Sequence, residues 1–123
     1  MANIDQPEPF AGWSEEDADG VRTYALKRPV QLSFRAPDGG ERTERVQLVR
    51  MRRANGGDLR ALEKIEGKSG VNPLYWAITR LTGLEEAALD KFDTEDLRPL
   101  GVAAMTLLEG GPVTGATARV RGR

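Results

Sequence analysis

Six carboxylates fall within twelve residues: Glu85, Glu86, Asp90, Asp93, Glu95 and Asp96. Two carboxylates held at the right separation can run a hydrolysis, and several together can hold a hard cation. These six instead spread over helix surfaces and first turns, where acids are favoured by the helix dipole. No catalytic residue, metal ligand or cofactor site is therefore assigned to them. The chain has no His and no Cys. It lacks the commonest general base, the commonest metal ligand and any thiolate or disulfide. A second cluster, Arg50, Arg52 and Arg53, is basic. Such a cluster can neutralise phosphates, pair with acids of its own chain, or meet an acidic protein. No recognition helix, zinc ligand set or pattern of stacking aromatics accompanies it, and the chain as a whole is slightly acidic. Pairing within the chain is the expectation, with a charged self-association patch as its functional counterpart. Asn55-Gly56-Gly57 is a break and not a phosphate loop, because the GxxxxGK[ST] spacing is missing.

The elements that must position these groups are short. With 123 residues, 39% apolar and 30% charged, the chain is expected to form one small globular domain. No apolar run reaches the length of a membrane span, and no signal peptide or membrane contact is expected. The net charge is only −1, yet the charge is segregated. Residues 1–20 hold six acids and no base, and residues 21–60 hold ten bases against four acids. We expect a disordered acidic arm over 1–20, an α+β domain over 21–110 and a disordered basic tail over 111–123. Apart from Phe10 and Trp13, the arm offers little to bury. They either lie on the domain's own surface or dock on a partner.

Residues 22–35 alternate, with Tyr24, Leu26, Val30, Leu32 and Phe34 on one face. Pro29 makes this an edge or interrupted strand. Pro37-Asp38-Gly39-Gly40 is a turn, and 43–53 is the returning strand. Val46 and Leu48 share one of its faces while Val49 and Met51 share the other, which predicts a β-bulge near Leu48–Val49. Asp58 is expected to cap a helix running to about Glu66, with Leu59, Leu62 and Ile65 as its apolar stripe. Asn72 as N-cap and Pro73 at the first position open the next helix, whose stripe is Leu74, Ala77, Ile78 and Leu81 and whose end is Gly83. Leu84, Ala88, Leu89 and Phe92 mark a short third segment. Asp93 with Asp96 resembles a capping box for a last helix running to about Leu108, with a kink or restart expected at Pro99. Its stripe is Leu97, Leu100, Ala104 and Leu108, beside the gap-filling Met105.

The phrase GDLRALEKIEG at 57–67, followed by ITRLTGLEEAALDKFDTEDL at 78–97, resembles the tail assembly chaperone family of contractile-tailed, Mu-like and P2-like bacteriophages and prophages. The resemblance rests on Gly57-Asp58-Leu59, on Leu81-Thr82-Gly83-Leu84, and on Leu89-Asp90 through Phe92-Asp93 to Asp96. Phe92 departs from the family's more frequent Leu. The likeness covers roughly residues 24–109, and its motifs are structural. It implies a β-hairpin before the "GDL" helix, a helix ending in "LTGL", and an acidic segment leading into a final helix.

The resemblance also implies a function. Such chaperones are non-enzymatic proteins of the bacterial cytoplasm that keep the tape measure protein soluble, assist the tail tube around it, and are absent from the mature virion. Many occur as a short and a frameshifted longer form. Here the implied partners are the tape measure protein, the tail tube protein and further copies of the chain. The client contact is expected on Leu74, Tyr75, Ile78, Leu81, Leu97, Leu100, Ala104, Met105 and Leu108, in grooves between helices. Head-to-tail copies would use Arg50, Arg52 and Arg53 against the acidic helical half. The alternatives are a small nucleic-acid-binding regulator using the Arg-rich ribbon and a structural tail component retained in the virion.

Overall fold

The protein is described by a computed structural model that covers residues 10–110. Its architecture is α+β: a two-stranded antiparallel hairpin, β1 (Arg22–Arg35) and β2 (Glu41–Met51), followed by four helices, α1 (Gly56–Ile65), α2 (Pro73–Thr82), α3 (Glu86–Leu89) and α4 (Thr94–Leu108). The expected hairpin and run of short helices are therefore present. Residues 1–9 and 111–123 lie outside the described residues, as does any test of their expected disorder.

A lone hairpin is marginal in water, so its apolar face has to be covered. Tyr24, Leu26 and Leu32 of β1 and Val49 and Met51 of β2 are buried together with Ala77, Ile78 and Leu81 of α2. Leu100, Ala103, Ala104 and Leu108 of α4, Leu89, Phe92 and Leu62 complete the core. Each fully buried Leu, Ile or Phe contributes about 1.5–3 kcal/mol of transfer free energy. Helices α2 and α4 form the closest helix pair, and the small Gly101 allows it: a Cβ there would run into the Leu74 side chain.

Local chemistry explains most boundaries. The Asn72 side chain accepts from the amides of Leu74 and Tyr75, and Pro73 follows at the first turn. Gly83 closes α2 in the left-handed region at φ 82°, where a side chain would be strained. The Asp93 side chain accepts from Glu95 N and caps α4.

Four expectations need correction. The N-cap of α1 is Asn55, and Asp58 is the third helical residue, completing a reciprocal capping box with it. The hairpin irregularity lies opposite its expected place: between the pairs Ala25↔Leu48 and Val30↔Val46, β1 carries four residues where β2 carries one. Pro29 sits in that bulge, where its missing N–H breaks no ladder bond. The inward face of β2 then switches from Val49 to Val46, which is the phase change visible in its sequence. Asp93 and Asp96 form no capping box, because the Asp96 carboxylate points into the core toward β1. Helix α4 runs as one element through Pro99, so of the kink or restart expected there the restart is absent.

Residues 10–20 also differ from the expected arm. Phe10 is fully buried and Trp13 is 5% exposed. Trp13 bridges Tyr24 on the outer edge of β1, and Ser14 N donates to Thr23 O at 2.9 Å. Aromatic burial and two backbone contacts hold this segment against the domain, so the folded unit includes residues 10–20 rather than starting at residue 21.

Candidate functional site

Two buried carboxylates organise the polar interior, Asp58 in the first turn of α1 and Asp96 in the first turn of α4. Asp58 is 1% exposed. Its oxygens accept from Arg52 Nη1 at 2.8 Å, Arg52 Nη2 at 2.9 Å, Arg80 Nε at 2.7 Å and Asn55 N at 2.8 Å. Arg52 is thus bidentate, the geometry that suits guanidinium to carboxylate. Hydrogen bonding to Arg52 holds the Asp58 carboxyl well below the usual range, with Arg80 and the Asn55 amide adding to the effect against the opposing cost of burial. The reciprocal bond raises Arg52. Arg52 also donates to the carbonyls of Arg53 and Arg80, and its amide donates to Leu81 O. One acid therefore ties the end of β2, the start of α1 and the end of α2 together.

Asp96 is fully buried. It accepts from Tyr24 Oη at 3.1 Å, Lys27 N at 2.9 Å and Arg28 N at 3.0 Å. The two amides belong to the β1 bulge, outside the paired register, and Asp96 supplies their acceptor. Burial and the bond to Asp96 push Tyr24 up to about 12.

The remaining acids of the 85–96 cluster stay apart. Asp90 accepts from Tyr75 Oη at 3.0 Å, which raises that tyrosine. Asp93 and Glu95 flank Arg28 at 3.8 and 3.3 Å. Glu85 precedes α3 without a side-chain cap bond. Among the described residues, no group of three or more acids is placed to hold a metal ion.

The arginine cluster is engaged within the chain. Arg50 pairs with Asp17 and Arg53 with Glu16, each at 3.3 Å, while Arg52 holds Asp58. The first two pairs are exposed and individually weak. Backbone bonds from Val21 and Asp19 hold the Asp17 carboxyl below its ordinary value, with Arg50 adding to them. The proposed client-facing residues are mostly interior. Ile78, Leu81, Leu100, Ala104 and Leu108 are buried, and Leu74, Tyr75, Leu97 and Met105 are partly buried against the same core. The grooves expected between the helices are filled by these side chains, because α2 and α4 use their stripes on each other and on the hairpin.

Open clefts lie elsewhere. A cleft of about 410 Å³ separates the far half of the hairpin from the α2–α3 connection, with Leu32, Phe34, Leu84 and Ala88 inside and Arg35, Glu41 and Glu85 at its rim. A second, of about 310 Å³, is formed by Ala54, Leu59, Leu107 and Leu108. Leu59 is 46% exposed there, so it faces out from α1 instead of completing its core stripe. Sequence reasoning missed the first cleft, which depends on how the hairpin overhangs the helices; the second lies between the start of α1 and the end of α4 and includes Leu108, one of the expected contact residues. Sequence reasoning also missed Arg80, whose role depends on a partner 22 residues away.

No helix among the described residues is long and apolar enough to cross a membrane. No protein-family model, curated protein or solved structure matches the chain.

Proposed function

We propose that this protein is a non-enzymatic tail assembly chaperone of a contractile-tailed phage or prophage, which holds the tape measure protein in soluble form while the tail tube is built. The observation that carries this reading is the order of elements around the quoted motifs. The Gly57-Asp58-Leu59 phrase opens α1 directly after a hairpin, Leu81-Thr82-Gly83 ends α2, and the Leu89-to-Asp96 segment leads from α3 into the last helix. That is the arrangement the resemblance implies. Of the acids that invited a catalytic reading, Asp93 caps α4, Asp96 is bound in a buried network, Asp90 meets Tyr75 and Glu95 meets Arg28, which favours an interaction role.

The burial pattern moves the client contact away from the helix stripes. In our reading, apolar side chains of a client helix enter the cleft between Leu32, Phe34, Leu84 and Ala88, in the manner of helix-in-groove recognition. The Arg-rich ribbon is already paired with acids of its own chain, which weighs against phosphate binding. Action before virion completion, in the cytoplasm of the host, belongs to the same proposal. Co-expression of the tape measure protein with wild type and with Phe34→Glu tests it. Wild type should yield a soluble complex and Phe34→Glu should not, while circular dichroism shows the variant folded. A client that stays insoluble with wild type refutes the reading.

A further inference from the structure

Residues 10–17 are held against the domain much as a separate peptide ligand would be. Phe10 is fully buried, with its ring edge-on to Trp13 at 6.0 Å and the Arg22 guanidinium 4.2 Å above it. Trp13 lies 5.1 Å from Tyr24 between ring centroids. The backbone follows the β1 edge through Trp13↔Tyr24 and Ser14 N to Thr23 O, and the Ser14 hydroxyl accepts from Thr23 N at 2.9 Å. Asp17 then meets Arg50 of β2, and Glu16 meets Arg53 just past that strand's end. Two aromatic anchors, a strand-edge contact and a complementary charge pair make a specific seat.

The strap is tethered by a single tight turn. Asp17 N donates to Val21 O, Gly20 N donates to Asp17 O, and Asp17 Oδ1 accepts from Asp19 N and Val21 N. Gly20 takes φ 81° with the Arg53 side chain against it. Straightening this turn loses those few hydrogen bonds and leaves every contact between strap and seat available to another copy of the same segment. One strap feature is imperfect even when closed: no described residue accepts from the buried Trp13 Nε1.

We propose that the seat on one chain accepts residues 10–17 of a second copy, so that two chains exchange straps about the Asp17–Val21 turn and form a reciprocal dimer. The occupant is a second copy because the seat is fitted, residue by residue, to this chain's own segment. Its basic pair, Arg50 on β2 and Arg53 just past it, answers acids that the strap itself carries. Exchange of an identical element is a low-cost route to a two-fold dimer, and a short hinge promotes it. Asp17 sets the balance, since its side chain is the acceptor that closes the turn.

The test uses the full chain, which has no native cysteine. A Ser14→Cys chain is mixed with a Thr23→Cys chain under mild oxidation. Exchange joins the unlike chains by a disulfide, because residue 14 of one then lies beside residue 23 of the other. In parallel, deletion of residues 18 and 19 leaves too little chain to turn back, and should convert the protein to a dimer by light scattering with Trp13 still shielded from quencher. A Gly-Ser insertion in the same turn should shift it to monomer. A monomeric deletion variant, or a dimer in which residues 14 and 23 of different chains never cross-link, overturns the proposal.

Discussion

Removing the Asp58 carboxylate is the perturbation whose size the structure defines best. Asp58→Ala deletes four hydrogen bonds, three of them from guanidinium groups, and opens the α1 capping box. Breaking a buried ion pair costs about 3–5 kcal/mol when the orphaned charge stays buried. Here the orphaned charges are Arg52 and Arg80, whose side chains are 42% and 40% exposed. They can recover water, so the loss should fall toward about 3 kcal/mol once about 1 kcal/mol of cap energy is included. For a folded unit of this size that is a drop of roughly 12–24 °C in Tm. Asp58→Asn keeps the volume and one acceptor and should lose about half as much. The assay is urea unfolding followed by tryptophan fluorescence across a pH series. Because the folded-state carboxyl is depressed, its contribution is fully present above the unfolded value of about 3.9 and is lost as pH falls below it. The gap between wild type and Asp58→Asn should therefore close in acid. A cost below about 1 kcal/mol, or a gap that persists unchanged in acid, would refute the reasoning.

Other substitutions probe the same logic. Asp96→Ala leaves the amides of Lys27 and Arg28 and the Tyr24 hydroxyl unpaired, and should cost about 2–4 kcal/mol by chemical denaturation. Tyr24→Phe removes only the hydroxyl bond and should cost about 1 kcal/mol. Since Tyr24 titrates near 12 in the folded chain, its contribution is intact below pH 10 and vanishes as pH rises through about 12. Phenolate absorbance should show both tyrosines titrating late, and Tyr24→Phe should flatten the alkaline loss of stability. Gly101→Ala pushes a Cβ into Leu74 and should destabilise by about 1–3 kcal/mol despite better helix propensity. Adding Leu74→Ala should make the two costs less than additive in a double-mutant cycle.

What the sequence discloses here is mostly local. Asn72, Pro73 and Gly83 bound α2 through their own backbone chemistry, and no distant residue is needed to see it. At α1 two good capping residues stand three apart. Local pattern does not say which is the cap, because Asn55 and Asp58 do both halves of one box. The phase change in β2 is legible as Val46 against Val49. Its cause is invisible there, because the extra residues sit on β1, where the alternation of Leu26 and Val30 runs on undisturbed. Asp96 looks like a first-turn acid and is one, yet its partners lie 68 to 72 residues earlier. Phe10 and Trp13 carry too little apolar density around them to signal a strap, since their partners are Arg22 and Tyr24. The apolar stripes of α2 and α4 are correctly periodic. Periodicity alone does not tell a stripe that meets a client from one that meets its own hairpin.

The direct test of the proposed function is co-expression of this chain with the tape measure protein from the same phage gene cluster, followed by affinity pull-down on the client and sizing. The account expects soluble, stoichiometric co-purification that Phe34→Glu abolishes and Arg50→Ala does not. An insoluble client beside a chain that elutes alone would contradict it.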